Sequence, residues 1–174
     1  MIDDVSEILE TRFWEEDAGL YLDEANQDWS PFSTYRGMNS NMHMTEALLT
    51  AFEATGREIY LERAGSILDF FLGKVAPAKD WRLPEHYGKD WQIDRVYSEN
   101  PMFRPASTTP GHSFELGRLQ LQHWDLAGRP NDGSVERARR VVDSALTTDT
   151  RHLKAKSGAA FRTTSDKTSN SNPL

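Results

Sequence analysis

The chain has no cysteine among its 174 residues and no long run of apolar residues. Without cysteine, neither a disulfide framework nor a metal site built from thiolates can form. A helix that crosses a bilayer needs about 20 consecutive, mostly apolar residues, and no stretch of the sequence approaches that length. The acidic start MIDD also lacks the features of a secretory signal. We therefore expect a cytoplasmic protein with no membrane partner.

The sequence also lacks an excess of positive charge. It has 20 Lys and Arg residues against 27 Asp and Glu residues, which gives a formal net charge of -7. A domain that binds nucleic acid normally carries a basic patch, so we expect no nucleic-acid partner. The length allows one domain with a core of its own.

Apolar residues recur at helical spacing through most of the chain, which predicts an all-α fold. The predicted helices are residues 2–13, 41–55, 57–74, 112–127 and 134–146. Asn41 is expected to cap the second of these helices. Because only a short turn at Gly56 separates the second helix from the third, the two should pack as an antiparallel αα-hairpin.

Three segments do not show this periodicity. Residues 14–40 predict a loop with a small hairpin, and residues 75–110 predict a long loop rich in proline, aromatic and charged residues. Loops of that length are often functional. Residues 148–174 are mostly polar, and their few apolar side chains cannot offset the entropy of ordering. We therefore expect one domain over residues 1–147, followed by a tail that is either disordered or not part of the domain's family.

The pattern His-x-x-Glu occurs twice on predicted helices, as His43 with Glu46 and as His112 with Glu115. Three residues are nearly one helical turn, so each pair projects from one side of its helix. An imidazole beside a carboxylate can transfer protons near neutral pH. Each pair could instead be structural, with a half-buried histidine held by a carboxylate one turn along, and on spacing alone this alternative is favoured for His43 and Glu46.

His112 is the stronger candidate for a catalytic group. It follows Pro110 and Gly111, which suit the entry of a chain into a helix, and therefore lies in the first helical turn. The exposed backbone N–H groups of a first turn disfavour a cationic ring. A neutral imidazole is what a general base requires.

The long loop and the helical pairs suggest two kinds of ligand. Aromatic or histidine side chains beside charged ones are typical of sugar-binding sites, although any well-packed loop can contain them. Such pairs in the loop are Glu85-His86, Asp90-Trp91 and Phe103-Arg104. A metal site is disfavoured, because di-iron bundles place Glu before His at this spacing and add further helical glutamates.

Several stretches of the sequence resemble the N-acylglucosamine 2-epimerase superfamily, and they fit its sugar-isomerase branch best. They occur in matching order between about Val5 and Leu146. The stretches are residues 35–47, 54–56, 60–64, 84–87, 90–91, 100–105 and 109–119. The two longest of them contain the two His-x-x-Glu pairs.

This resemblance implies an (α/α)6 barrel, which is a toroid of twelve helices with the active site at one mouth. It also implies reversible aldose–ketose isomerisation, or epimerisation at C2, of a free monosaccharide without a metal or redox cofactor. A histidine would move a proton between C1 and C2 through an enediol. His112 matches one of the two acid/base histidines of the family, and Glu115 matches the carboxylate that assists it.

The resemblance further implies a set of residues that line the sugar pocket. These are Arg36, Asn41, His43, Glu46 and Arg104. The last of them would help to polarise the sugar oxygens. Two positions depart from the family pattern, since Leu116 stands in place of a usual Trp and Ser107 in place of a common Gly.

The chain is shorter than the barrel of this family, so the resemblance implies a partial (α/α)6 barrel that is incomplete at both ends. The second acid/base histidine would belong to later helices, which residues 148–174 do not resemble. We therefore expect a sugar-isomerase fragment that is inactive alone and that self-associates through exposed apolar helix faces. An N-acylglucosamine 2-epimerase and a non-catalytic helical sugar-binding remnant are the alternatives.

Overall fold

The computed structural model describes residues 2–97 and 109–147. Its helices are α1 (Ile2–Ile8, prolonged by a wider turn over Leu9–Phe13), α2 (Met38–Thr55), α3 (Glu58–Leu68, prolonged over Asp69–Val75), α4 (Pro110–Leu126) and α5 (residues 134–147). A short 3-10 turn follows α3 at Pro77–Lys79. Each predicted helix is present with ends that differ by three residues or fewer, so the all-α prediction is confirmed.

Two small antiparallel strand pairs lie in the loops between these helices. β1 (Trp14–Glu15) pairs with β2 (Leu20–Tyr21), which is the small hairpin predicted from the sequence. β3 (Arg36–Gly37) pairs with β4 (His86–Tyr87). The second pair ties the loop before α2 to the long loop before α4.

α2 and α3 form the predicted antiparallel αα-hairpin. Gly56 adopts a left-handed φ of 68° at the end of α2, and its N–H donates to the carbonyl of Phe52 at 2.7 Å. Glycine adopts this conformation at little energetic cost because it has no Cβ atom. The conformation ends α2 and reverses the direction of the chain. The facing sides of the two helices are buried, with Met42, Leu49, Ile67 and Phe71 in the core.

α2 and α4 run side by side in the same direction. Arg118 Nη2 donates to Glu46 at 2.8 Å. Further along both helices, Gln122 Nε2 donates to Glu53 at 3.0 Å. α3 runs the opposite way and contacts both helices. Parallel inner helices joined by returning outer helices are the repeating unit of an αα toroid, so this part of the chain forms a partial (α/α)6 barrel.

α4 also packs closely against α5 on its far side. A Cβ atom at Gly117 would lie 2.8 Å from Cγ2 of Val142, so glycine permits this close approach. Leu116, the departure from the family's usual Trp, is fully buried beside it. The core therefore continues from α2 and α3 through α4 to α5.

The loops before α2 and α4 gather at the end of the molecule where both helices begin, which we call the mouth. The N–H of Met38, the first residue of α2, donates to the carbonyl of Glu85 at 3.0 Å. The N–H of Thr109, directly before α4, donates to the carboxylate of the same Glu85 at 3.0 Å. Glu85 thus joins the first turns of the two helices.

Asn41 does not cap α2, and that prediction is wrong. α2 begins at Met38, and Gly37 holds the capping position without a side-chain bond. Asn41 lies inside the helix, where its carboxamide accepts from the N–H of Tyr21 and donates to the carbonyl of Tyr21, both at 2.9 Å. The buried edge of β2 needs these partners, because unpaired backbone groups in a core are costly.

Apolar side chains remain exposed on outward faces of α1, α4 and α5. They are Ile2, Val5, Ile8, Phe114, Leu121, Val135 and Leu146. Self-association through these faces stays a prediction. Within residues 2–97 and 109–147, no helix has the length and apolarity that crossing a membrane requires. Arg104 and the predicted tail, residues 148–174, lie outside the described residues.

Candidate active site

His112 lies in the first turn of α4, at the mouth. Its Nδ1 atom is 3.0 Å from each carboxylate oxygen of Glu85. Only 6% of the Glu85 side chain is exposed, whereas 29% of the His112 side chain is exposed. A buried carboxylate therefore holds an imidazole ring that still reaches solvent.

The carboxylate that contacts His112 is thus Glu85, whereas the sequence directed attention to Glu115, one turn along α4. The two residues are 27 positions apart, and no helical spacing connects them. The contact forms because β4, which follows Glu85, pairs with β3 and holds the loop against the mouth. In the sequence, the signal for Glu85 was its position in a loop whose composition is typical of sugar-binding sites. That signal did not identify His112 as its partner.

Tyr87 lies close enough to Glu85 to respond to its charge. Burial raises the pKa of Tyr87, and the negative charge of Glu85 raises it further. The hydroxyl of Tyr87 is buried and has no hydrogen-bond partner within the described part of the chain. Glu85 is therefore a buried carboxylate beside a buried aromatic ring.

His43, Glu46 and Glu115 form a second group of polar side chains, which we call the seam group because α2 and α4 hold it between them. One nitrogen or oxygen atom from each residue lies within 4.8 Å of the others. His43 Nδ1 and Glu46 Oε2 are 3.7 Å apart, which is too long for a hydrogen bond, and both side chains are about half exposed. The structure thus brings together three residues that the sequence selected separately.

The seam group is the part of the described chain whose spacing would suit a metal ion, since it offers one imidazole and two carboxylates. A cation is already present there, however, because Arg118 donates to Glu46 at 2.8 Å. The guanidinium would repel a metal ion at this range. These side chains are therefore better suited to hydrogen bonds with a neutral polar ligand.

Asn39, rather than Asn41, shares a helix face with His43. Four residues along an α-helix nearly complete one turn, whereas two residues reach the opposite side. Asn39 and His43 are exposed, and Asn41 is fully buried against β2. The carboxamide of Asn41 is thus bound to β2, and its contact with substrate stays a prediction, whereas Asn39 is the exposed asparagine on the face of His43. The four-residue spacing between Asn39 and His43 was the signal in the sequence.

Arg36 is bound to a carboxylate of β1. Its Nε and Nη2 atoms donate to the two carboxylate oxygens of Glu15 at 2.9 and 2.8 Å, and its side chain is 8% exposed. Burial alone would raise the pKa of Glu15, but hydrogen bonds from Arg36 and Trp91 outweigh it and lower that pKa. In this structure Arg36 anchors the loops through Glu15, and its contact with substrate stays a prediction.

The other described histidines make different contacts. His86 is buried, and its Nδ1 lies 3.0 Å from the hydroxyl of Tyr35. His123 packs against α3, and burial lowers its pKa. Within residues 2–97 and 109–147, His112 and His43 are therefore the histidines with a side chain available at the mouth side of α2 and α4.

Paired helices of a partial toroid, with histidine and carboxylate groups at one mouth, place the chain in the class of (α/α)6-barrel proteins. The family model for N-acylglucosamine 2-epimerase (GlcNAc 2-epimerase) matches residues 1–171. The chain belongs to this family, and the resemblance read from its motifs is confirmed. The match extends into residues 148–174, so the interpretation of that segment as a tail outside the family stays a prediction.

The chain is similar to D-mannose isomerases. It is 43% identical over 130 residues to the enzyme from Thermobifida fusca, covering 73% of this chain and 32% of the relative. It is 40% identical over 153 residues to the enzyme from Pseudomonas cannabina pv. alisalensis, covering 83% of this chain and 37% of the relative. The chain therefore spans about a third of the length of these relatives.

Two solved structures share the fold. A D-mannose isomerase structure superposes with a TM-score of 0.77 at 40% identity, covering 84% of this chain and 38% of that one. The cellobiose 2-epimerase from Spirochaeta thermophila superposes with a TM-score of 0.67 at 19% identity, covering 82% and 36%. The second likeness supports the fold alone.

Proposed function

We propose that this chain carries part of the active site of an aldose–ketose isomerase that acts on a free monosaccharide of the mannose or fructose type. The observation that carries the proposal is the position of His112, in the first turn of α4 with a partly exposed ring held by buried Glu85. Relatives named D-mannose isomerase, at 40–46% identity, support the same reaction class.

In the proposed reaction His112 is the general base. The C1 carbonyl of an aldose acidifies the hydrogen on C2, and His112 removes that hydrogen as a proton. The electron pair of the C2–H bond forms the C1–C2 double bond of an enediol while O1 gains a proton. Return of a proton to C1, with loss of the proton from O2, gives the ketose. A general acid–base group of this kind contributes about 10²–10⁴-fold to the rate.

The seam group binds the sugar hydroxyls in this proposal. Glu115 lies one turn from His112 on α4, so the group stands beside the proposed base. Carboxylates accept hydrogen bonds from hydroxyls, and an exposed imidazole can donate or accept. Arg104 stays a proposed ligand of the sugar oxygens, and none of these roles requires a metal or redox cofactor.

We also propose that the 174-residue chain alone turns over slowly. Of the other described histidines, His86 and His123 are engaged in other contacts, and in this proposal His43 binds the sugar hydroxyls. A second acid/base histidine at the mouth would therefore come from outside the described residues. Loss of one such group costs about 10²–10⁴-fold in rate.

The experiment incubates the purified chain with D-mannose in D₂O beside the Thermobifida fusca D-mannose isomerase, and NMR follows fructose and deuterium at C2. We expect C2 exchange above the buffer rate but at least about 10²-fold slower than with the relative. Turnover equal to that of the relative would contradict the slow-turnover proposal. Binding without exchange would favour a sugar-binding remnant, and neither binding nor exchange would contradict the isomerase proposal.

The description of the matching family favours a second candidate, epimerisation at C2 of an N-acylated sugar. The same base would remove the C2 proton, but the proton would return to C2 on the other face. Product analysis separates the two candidates. An isomerase converts mannose into fructose, whereas an epimerase converts N-acetylmannosamine into N-acetylglucosamine.

A further inference from the structure

We propose that Glu85 is the positioning residue of His112, which fixes the tautomer of the ring and makes Nε2 the atom that exchanges the proton with substrate. This inference rests on the proposed function, because it assumes that His112 is the base. It departs from the family resemblance, which gives the assisting role to Glu115.

The geometry of the contact determines which ring nitrogen carries hydrogen. Both carboxylate oxygens of Glu85 lie 3.0 Å from Nδ1 of His112. A carboxylate accepts hydrogen bonds, so Nδ1 must be the donor. In a neutral imidazole Nε2 then has no hydrogen and an open lone pair. A general base needs such a nitrogen, and 29% of the His112 side chain is exposed to solvent.

Glu85 is itself immobilised, which a positioning residue requires. Its carbonyl accepts the N–H of Met38, and its Oε1 atom accepts the N–H of Thr109, both at 3.0 Å. The carboxylate also lies at the N-terminus of α4, where the helix dipole favours negative charge. Glu85 is therefore tied to the start of both inner helices, and it places the His112 ring relative to them.

Glu115 has a different environment. It follows His112 by three residues on α4, but its carboxylate meets His43 and Glu46 from α2. No hydrogen bond joins Glu115 to His112 within the described residues, and a buried carboxylate holds the ring on its other side. In this proposal the two carboxylates thus have separate roles. Glu85 orients the base, and Glu115 is available to the ligand.

The test is nitrogen-15 NMR of the histidine side chains in the full 174-residue chain at a pH where His112 is neutral. The missing signals of the His112→Gln variant assign the ring. We expect a wild-type spectrum with hydrogen on Nδ1 and none on Nε2. Glu85→Gln should lose this preference, because an amide group can also donate to Nδ1 and so favour the other tautomer. Glu115→Gln is the matched control and should keep the wild-type pattern.

The Glu85→Gln variant keeps an oxygen for the N–H of Thr109, and its thermal unfolding curve and amide spectrum verify that it folds. A folded Glu85→Gln chain with an unchanged His112 tautomer would overturn the proposal. So would a loss of the tautomer preference in Glu115→Gln. If Glu85→Gln does not fold, Glu85→Asp supplies the test, since a shorter carboxylate should weaken the preference and an unchanged pattern would overturn the proposal.

The NMR result does not depend on sugar turnover, so it separates this inference from the proposed function. Suppose that Glu85→Gln loses the tautomer preference but the wild type shows no C2 exchange. This result would contradict the isomerase proposal and would still support the pairing of Glu85 with His112. Where exchange is measurable, Glu85→Gln should lower the exchange rate about 10-fold or more at saturating mannose while leaving the KM within about 2-fold. If the role of Glu85 were purely structural, Glu85→Gln would change neither the tautomer of His112 nor the exchange rate at saturating mannose relative to the KM.

Discussion

The two His-x-x-Glu copies have the same spacing but different surroundings in the folded chain. His43 stays beside Glu46, with both side chains about half exposed and 3.7 Å between the nearest atoms. His112 instead contacts Glu85, which is buried and belongs to a loop. Spacing on a helix places two groups on one side, but tertiary contacts decide which carboxylate the histidine uses.

The position of each copy along its helix explains the difference. His112 lies in the first turn of α4, where the loop that contains Glu85 already passes to satisfy the N–H of Thr109. His43 lies further into α2, and its neighbours are side chains from the parallel helix α4. A hydrogen bond to a charged group is stronger in a buried setting than in an exposed one. We therefore expect the second copy to be the more rigid one and the half-exposed first copy to be the one that binds a ligand.

The sharpest test of this comparison replaces each histidine in turn. His112→Gln should reduce C2 deuterium exchange of mannose by about 10²-fold or more, because it removes the proposed base. His43→Gln should reduce exchange less and should weaken mannose binding instead. NMR and calorimetry measure the two quantities, with Glu53→Gln as a control further along α2. Equal losses of exchange in the two variants would show that the copies do not have separate roles.

A second test compares the two carboxylates by stability. Glu85→Ala leaves the N–H of Thr109 and Nδ1 of His112 without their partner, which should cost about 2–3 kcal/mol in the free energy of unfolding. Glu115→Ala removes a half-buried side chain from an open seam and should cost less than about 1 kcal/mol. Urea denaturation measures both values. A loss at Glu115 as large as that at Glu85 would contradict the distinction between a rigid and an open site.

The sequence predicted the helices well because their apolar stripes are local. The spacing that marks α3 and α4 needs no knowledge of distant residues, and Gly56 marks the turn between α2 and α3 directly. The site was harder to predict because its contacts join segments that are far apart in the sequence. Nothing local connects Glu85 with His112. The capping prediction for Asn41 failed because the local signal was misleading. Asparagine suits a capping position, but in the fold its carboxamide pairs with the backbone of buried β2.

A third test compares the two faces of α2 that carry Asn39 and Asn41. Asn41→Ala removes the partners of the N–H and carbonyl of Tyr21 in the core, so it should cost about 2–3 kcal/mol. Asn39→Ala should leave stability within about 0.5 kcal/mol, because that side chain is exposed, and should weaken mannose binding. Urea denaturation and calorimetry measure the two effects. A large stability loss at Asn39 would place it in the core.

The smallest expected effect concerns the ion pair that links α2 to α4. Glu46 and Arg118 are 2.8 Å apart, but both side chains are about half exposed. Solvent screens such a pair, so a double-mutant cycle of Glu46→Gln and Arg118→Gln should give a coupling of about 0.2–1 kcal/mol that falls as salt is added. A coupling above about 2 kcal/mol, unchanged by salt, would mean that the seam is closed to water, in which case a sugar could not reach the first His-x-x-Glu copy.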